Sequence, residues 1–403
     1  MRVLRVRDPF LRSQLAIAAL FCSLGFQYAT WAARIPAIKS DLDLTAAEVG
    51  VLLMAAGIGA AVSFPLVAVL MRRLGSQRLA LLSALCLALL LLALAAAPNY
   101  PVALLVMCVD GVLVGCLNVA MNAQGAELES RYERNAMARL HATFSGGSLL
   151  AALLASGMHT VTSSVAAHFA AAALFLLLLV ALARTGLLPE RAAAPDAAAE
   201  QAEAGEKTEE GEKAAKKGAK WTRPSRVTLW MCVAMAFGTV TEGAMNDWSA
   251  LYLEDVAEAS AELAPLGIAV VSGMMLIARL FADGWRSRWG DGRIVLTGSV
   301  LAGAGLALAL LSGGLVPALL GFACVGLGIA AVTPCVYVAA AGQGSDSLTL
   351  VAAMGTTGLL AGPPLIGFIA NASSLVWGLA AVAASALVVS ACSTRISWPA
   401  TTG

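Results

Sequence analysis

A glutamate, an asparagine and an aspartate stand close together in Thr239–Trp248, read TVTEGAMNDW, inside an otherwise apolar segment of membrane-spanning length. An ionisable side chain there is costly, so it faces a bundle interior or a water-filled cavity and marks a pathway. Glu242 is the first candidate for chemistry, and that chemistry is proton transfer: a carboxyl at depth can hold a proton and release it when access changes. It lies about 15 residues into its segment, roughly 22 Å along a helix that rises ~1.5 Å per residue. The competing reading is a carboxyl locked to a neighbouring helix by hydrogen bonds or by an arginine. Asp110, about nine residues into another apolar segment, also sits near the midplane and is a second coupling candidate.

Other polar residues fall on helical stripes. Ser23, Gln27, Trp31 and Arg34 form one, Thr239, Glu242, Asn246 and Ser249 another, and Asn118 with Asn122 a third. Amides, a phenol and an indole around a cavity suit a polar solute, uncharged or zwitterionic. Gly111 and Gly115 share nearly the face of the asparagines, where close helix packing is the competing reading. Asp247, nearer the outer surface, reads as a gate residue. Arg34 either pairs across the cavity with Asp247 or Glu242, or snorkels to the interface. Arg279 and Asp283, one turn apart, read as a latch on the cytoplasmic side. His141 reads as packed or interfacial, with a proton relay as the alternative.

No enzyme emerges. The three histidines show no metal-ligand spacing, and no paired nucleophile and base is visible. The eight cysteines all sit in apolar stretches without a C-x-x-C pair and read as small buried hydrophobes. We therefore expect no cofactor and no metal.

The elements that must position these residues are membrane spans. The chain is 59% apolar and 13% charged, against roughly 25% charged in a soluble domain. Its net charge of +1 gives no reason to expect a nucleic-acid partner. Twelve apolar runs can each cross a ~30 Å hydrocarbon core. They are 13–35, 47–70, 77–97, 101–125, 136–158, 164–184, 227–253, 265–283, 293–312, 315–341, 347–370 and 372–393. Residues 185–226 differ, with acids first and bases crowding the end, and read as a solvated linker between halves 1–184 and 227–403. Lys and Arg gather in alternate loops, so both termini read as cytoplasmic, and the basic start as a leader into the first helix.

An internal repeat supports six spans plus six. Arg73, Gly75 and Arg78 follow the second run; Arg288, Gly290 and Arg293 follow the eighth, 215 residues later, in the same R-x-G-x-x-R spacing. The offset also takes Gln27 to Glu242, Asn118 to Thr333 and Asn122 to Tyr337. Pairs of parallel six-helix halves describe the major facilitator superfamily (MFS). The chain resembles that superfamily in its loop motif, roughly G-x-x-x-D-R-x-G-x-R-R. The copy with Asp283, Arg288, Gly290 and Arg293 matches better; in the first copy Arg72 replaces the acid and Pro65 sits near the usual glycine. WAARIPAIK (Trp31–Lys39), NVAMNAQG (Asn118–Gly125), EGAMNDWSALYL (Glu242–Leu253) and TTGLLAGPPLIGF (Thr356–Phe368) resemble a bacterial inner-membrane branch near the fucose permeases.

The resemblance implies an all-α fold in two pseudo-symmetric halves, with the first, fourth, seventh and tenth helices lining a central cavity. It implies a monomeric secondary transporter working by alternating access in the bacterial inner membrane. Its partners would be a small-molecule substrate, H+ and the lipid bilayer. The cavity set would be Gln27, Trp31, Asn118, Asn122, Asn246, Thr333 and Tyr337; the gating set would be Arg34, Asp247, Arg279, Asp283, Arg73 and Arg288. The amides favour a small polar, sugar-like solute, with an efflux antiporter as the alternative. Gly355, Gly358, Gly362, Pro363, Pro364 and Gly367 read either as breaks that serve rocking or as packing contacts.

Overall fold

The computed structural model describes residues 8–134, 136–189 and 224–398. The helices are α1 Pro9–Ala32, α2 Ile35–Asp41, α3 Ala46–Ala95, α4 Tyr100–Tyr132, α5 Met137–His159, α6 Val165–Ala183 and α7 Arg226–Asp255. They continue as α8 Leu266–Trp289, α9 Asp291–Ser312, α10 Leu315–Ile329, α11 Val332–Ala341, α12 Ser345–Ala372 and α13 Leu375–Ser393. Polar side chains start several of them. Asn99, Ser164 and Ser225 accept from backbone N–H groups of the first turn, and Thr45 with Glu48 forms a reciprocal capping box. Each satisfies donors that a helix start otherwise leaves unpaired.

These helices make twelve spans in two six-span halves. Long, apolar α3 holds two of them, bent at Gly75, while α10 and α11 together make one. Short α2 turns the chain at the end of the bundle far from the termini, here called the distal end. Leu105, Leu174, Leu308 and Leu320 point outward and are exposed, which is how a surface facing lipid tails is built.

The repeat read from the sequence is present in the backbone. Gly75 has φ 75°, ψ 164°, and Gly290 has φ 81°, ψ 151°. Only glycine adopts that region without strain. The same residue makes the same bend between corresponding spans of each half.

Three features differ from the sequence expectation. The tenth run is broken at Ala330–Ala331, because Pro334 offers no N–H to the Ala330 carbonyl and its ring crowds that carbonyl. The expected interruption at Pro363–Pro364 is not seen: α12 runs through both prolines. Its glycines serve close packing instead, since a Cβ on Gly358 would collide with the Ala236 carbonyl and one on Gly367 with the Ala46 carbonyl. The first linker residues belong to the first half. Gly186 lies against the Arg12 backbone, Leu187 and Leu188 are buried, and Gln124 holds Leu188 at both its N–H (2.9 Å) and its carbonyl (3.0 Å). The remainder of the linker, 190–223, and the basic start, 1–7, lie outside the described residues.

The halves share an apolar core running from Phe26, Trp31 and Ile35 to Met245, Trp248 and Leu251. A second core, with Phe21, Leu87, Leu117 and Leu140, belongs to the first half alone, nearer the termini. The cross-half hydrogen bonds follow this division. Lys39 pairs with Asp255 at 2.6 Å, Ser156 donates to the Glu262 carbonyl at 2.5 Å, and both contacts are distal. The bundle is thus joined at its distal end and through its middle.

Candidate functional site

Two polar constellations form around residues of the stripes. In the first half, Gln27 of α1 donates through Nε2 to Asp110 Oδ1 of α4 at 2.7 Å. Both side chains are buried, at 1% and 4% exposure, and Gln27 Oε1 has no partner among the described residues. No cation neutralises Asp110 among the described residues, so this carboxyl is held by an amide alone.

In the second half, Glu242 of α7 pairs with Arg279 of α8 at 2.9 Å, each side chain 26% exposed. The other arm of Arg279 donates to Ser145 Oγ of α5 at 2.7 Å. One guanidinium therefore connects the carboxyl to the opposite half. This corrects the reading of Arg279 as part of a cytoplasmic latch: it sits midway along α8 and turns toward α7 and α5. The side chain of Asp283 lies outside the described residues. Asn246 spends one amide hydrogen on the Glu242 carbonyl at 3.0 Å, and Thr239 bonds the Gly355 carbonyl at 3.0 Å, joining α7 to α12.

Asn118 and Asn122 sit nearer the termini on α4. Asn122 Nδ2 donates to the Asn118 carbonyl (2.7 Å) and side-chain oxygen (3.1 Å), which leaves the Asn122 carbonyl oxygen for another donor. Gly111 and Gly115 bear out the packing reading, because a Cβ on either would collide with α3 at Ala56 or Ser63. Thr333 and Tyr337 of α11 are half-buried, one turn apart. Trp31 is not an open cavity residue: it is 4% exposed and meets Tyr28 edge-on at 5.0 Å. His141 meets Phe21 edge-on at 4.9 Å, in keeping with the packed reading.

The expected pairing of Arg34 with Asp247 or Glu242 is not formed, nor does Arg34 snorkel. It is 0% exposed. Its Nε donates to His168 Nδ1 at 2.9 Å; Nη1 lies 3.3 Å from His159 Nδ1 and donates to the Ser163 carbonyl at 3.3 Å. The cause is local: α1 ends at Ala32, and the turn into α2 points Arg34 back among the distal ends of α5 and α6. Asp247 instead accepts from Tyr28 Oη at 2.5 Å, a partly buried contact across the halves. Sequence reasoning missed Tyr28, although it adjoins Gln27 on the stripe-bearing helix.

At the bends, Arg73 and Arg288 are exposed and make no ion pair among the described residues. The ion pair at the second bend is Arg286 with Asp291, through two N–H···O bonds of 2.8 and 3.1 Å. Spacing could have found it, since the two flank Gly290 closely. At the first bend the corresponding work falls to Gln124, which donates to Ser76 Oγ at 2.8 Å.

Comparison with known proteins gives a consistent result. The family model described as Major Facilitator Superfamily matches residues 15–346. An uncharacterised MFS-type transporter of Yersinia pestis is 30% identical over 396 residues, covering 95% of this chain and 96% of that protein. Membrane protein MosC of Rhizobium meliloti is 29% identical over 388 residues, covering 94% and 88%. Among solved structures, a variant of the nucleoside transporter NupG superposes with TM-score 0.71 at 14% identity, covering 96% of this chain and 99% of its own. A D-xylose–proton symporter gives TM-score 0.71 at 14% identity, covering 98% and 99%.

Proposed function

The chain belongs to the Major Facilitator Superfamily, a multi-pass membrane transporter rather than an enzyme, and from that premise we propose that it couples transport of a small polar organic solute to protons. The termini face the cytoplasm, and the solute binds between the halves among Asn118, Asn122, Asn246, Thr333 and Tyr337. Glu242 carries the coupled proton. Asp110, held by Gln27, is a second protonatable carboxyl. The observation that carries this reading is Arg279, which holds Glu242 on one side and Ser145 of the opposite half on the other.

The consequence is mechanical as well as chemical. Protonation of Glu242 removes its charge, and the ion pair with Arg279 loses its attraction. Arg279 then bears on Ser145 and on whatever solute group lies in reach, and the contact between halves is reset. Tyr28 with Asp247 and Lys39 with Asp255 close the distal side in this conformation. Opening that side requires both contacts to part, which is the alternating-access step.

Glu242→Gln in proteoliposomes tests the reading, with a panel of sugars, polyols and nucleosides first screened for thermal stabilisation of the protein. The variant should keep solute counterflow and lose accumulation driven by a pH gradient. Accumulation at the parent rate and ratio would remove Glu242 from coupling.

A further inference from the structure

A groove of about 240 Å³ opens on the side of the second half, among α8, α9 and α10. Trp285 and Trp289 form one wall, Ile294, Thr297 and Leu301 the second, and Leu327 the third. It is a lateral feature, because Trp289 and Leu301 at its edge, and Leu280 and Phe281 beside it, are exposed apolar side chains on the outside of a membrane bundle. Its inner limit is set by a close helix crossing. A Cβ on Gly298 would collide with the Gly328 carbonyl, and one on Gly328 with the Gly298 carbonyl, so α9 and α10 touch backbone to backbone there.

The rim nearer the termini has the opposite chemistry. Arg288 immediately precedes Trp289, and Arg293 immediately precedes Ile294, so each arginine adjoins a groove-lining residue in the chain. Both are exposed, and neither makes an ion pair among the described residues. Arg286, in the same stretch of chain but less exposed, is already engaged by Asp291. The groove is thus lined mainly by apolar side chains, with two positive charges, unpaired among the described residues, next to it on the side nearer the termini.

We propose that the groove is a binding site for an anionic phospholipid, with one acyl chain in the slot and the phosphate between Arg288 and Arg293. A water-soluble anion would match the arginines and leave the slot empty. A neutral lipid would fill the slot and leave the arginines unanswered. The wall suits a chain of methylenes: Phe281, Trp285 and Trp289 are stacked in a row, at centroid distances of 6.0 and 6.3 Å and interplanar angles of 23° and 21°. Indole rings also favour the headgroup boundary, where this row ends. The site has a route to the transport machinery. Ala278 lines the groove and its neighbour Arg279 reaches Glu242 and Ser145, so a lipid in the slot bears on the turn of α8 that carries the cross-half contact.

The test is quenching of tryptophan fluorescence by dibrominated lipids, on the full chain in vesicles, with Trp230 and Trp377 changed to Phe to remove two other exposed indoles. Dibrominated phosphatidylglycerol should quench at a roughly 25-fold lower mole fraction than dibrominated phosphatidylcholine, each arginine contributing roughly fivefold to the preference. Arg288→Gln with Arg293→Gln should abolish the preference, and the corresponding lysine pair should restore most of it. Thr297→Phe, which plugs the slot, should reduce quenching by both lipids. Equal quenching by the two lipids, or a preference that survives the glutamine pair, overturns the proposal. So does loss of the preference on adding inorganic phosphate, which would make the arginines a free-anion site. The readout is independent of transport, so a failed coupling reading leaves it standing, and the reverse holds.

Discussion

The two halves share a backbone and differ in how they treat a carboxyl. Gln27 and Glu242 correspond through the 215-residue repeat, yet they meet different partners. In the first half the helix supplies an amide, and the carboxyl, Asp110, comes from α4 and is buried. In the second half the helix supplies the carboxyl, and an arginine from α8 answers it where both are partly exposed. An amide–carboxyl contact inside one half can persist through any movement between halves. The carboxyl–guanidinium contact also lies inside one half, but its arginine extends to Ser145 of the other, so only that extension would have to part if the halves moved. The two halves therefore share a fold and differ in polar chemistry, and the proposed coupling through Glu242 would be one-sided.

The largest expected effect tests that one-sidedness directly. A proton crossing 100 mV supplies about 2.3 kcal/mol, enough for roughly 50-fold accumulation of a neutral solute. Glu242→Gln should bring the accumulation ratio close to one. Asp110→Asn should leave most of the ratio intact, because Gln27 can still bond the new amide oxygen. Measured ratios that fall equally in the two variants would mean that coupling is shared between halves.

A smaller effect tests the shared backbone. Gly75→Ala and Gly290→Ala each place a Cβ in a region of φ and ψ that only glycine adopts freely, at a cost of roughly 1–3 kcal/mol. Unfolding in detergent should show both variants destabilised by similar amounts. If one is neutral, the two bends are alike in form but not in the strain they impose.

How much of this was legible in the chain follows from the physics of each feature. The spans and halves were readable because a lipid core demands long apolar runs, and a turn that only glycine can make leaves the same residue in both repeats. Glu242, Asp110 and the asparagines stood out because polar groups are rare in such runs. Their partners did not. Tyr28 is an unremarkable aromatic in an apolar helix until the fold brings Asp247 against it. Arg279 has an acid one turn away in sequence, but which acid it meets depends on how α8 is rotated against α7. Arg34 carries no signal for two histidines that lie 125 and 134 residues later. Pairing between helices far apart in the chain is a property of packing, and spacing does not encode it.

The smallest effects concern the two bends and run against the intuition that charges matter most. At the first bend Gln124 satisfies Leu188 at both backbone groups and also bonds Ser76, all in a buried setting. Gln124→Leu strands a buried N–H and a buried carbonyl, so about 2 kcal/mol of stability should be lost. At the second bend the Arg286–Asp291 pair is better formed on paper, with two charge-assisted bonds. Its side chains, however, are 24% and 12% exposed, so water competes for them. Asp291→Asn keeps one acceptor for Arg286 and should cost about 1 kcal/mol or less. Denaturation of the two variants side by side decides the matter. If Asp291→Asn proves the more damaging, the second half depends on charge for its structure as well as for its proposed coupling, and the division of labour drawn between the halves fails at the bends.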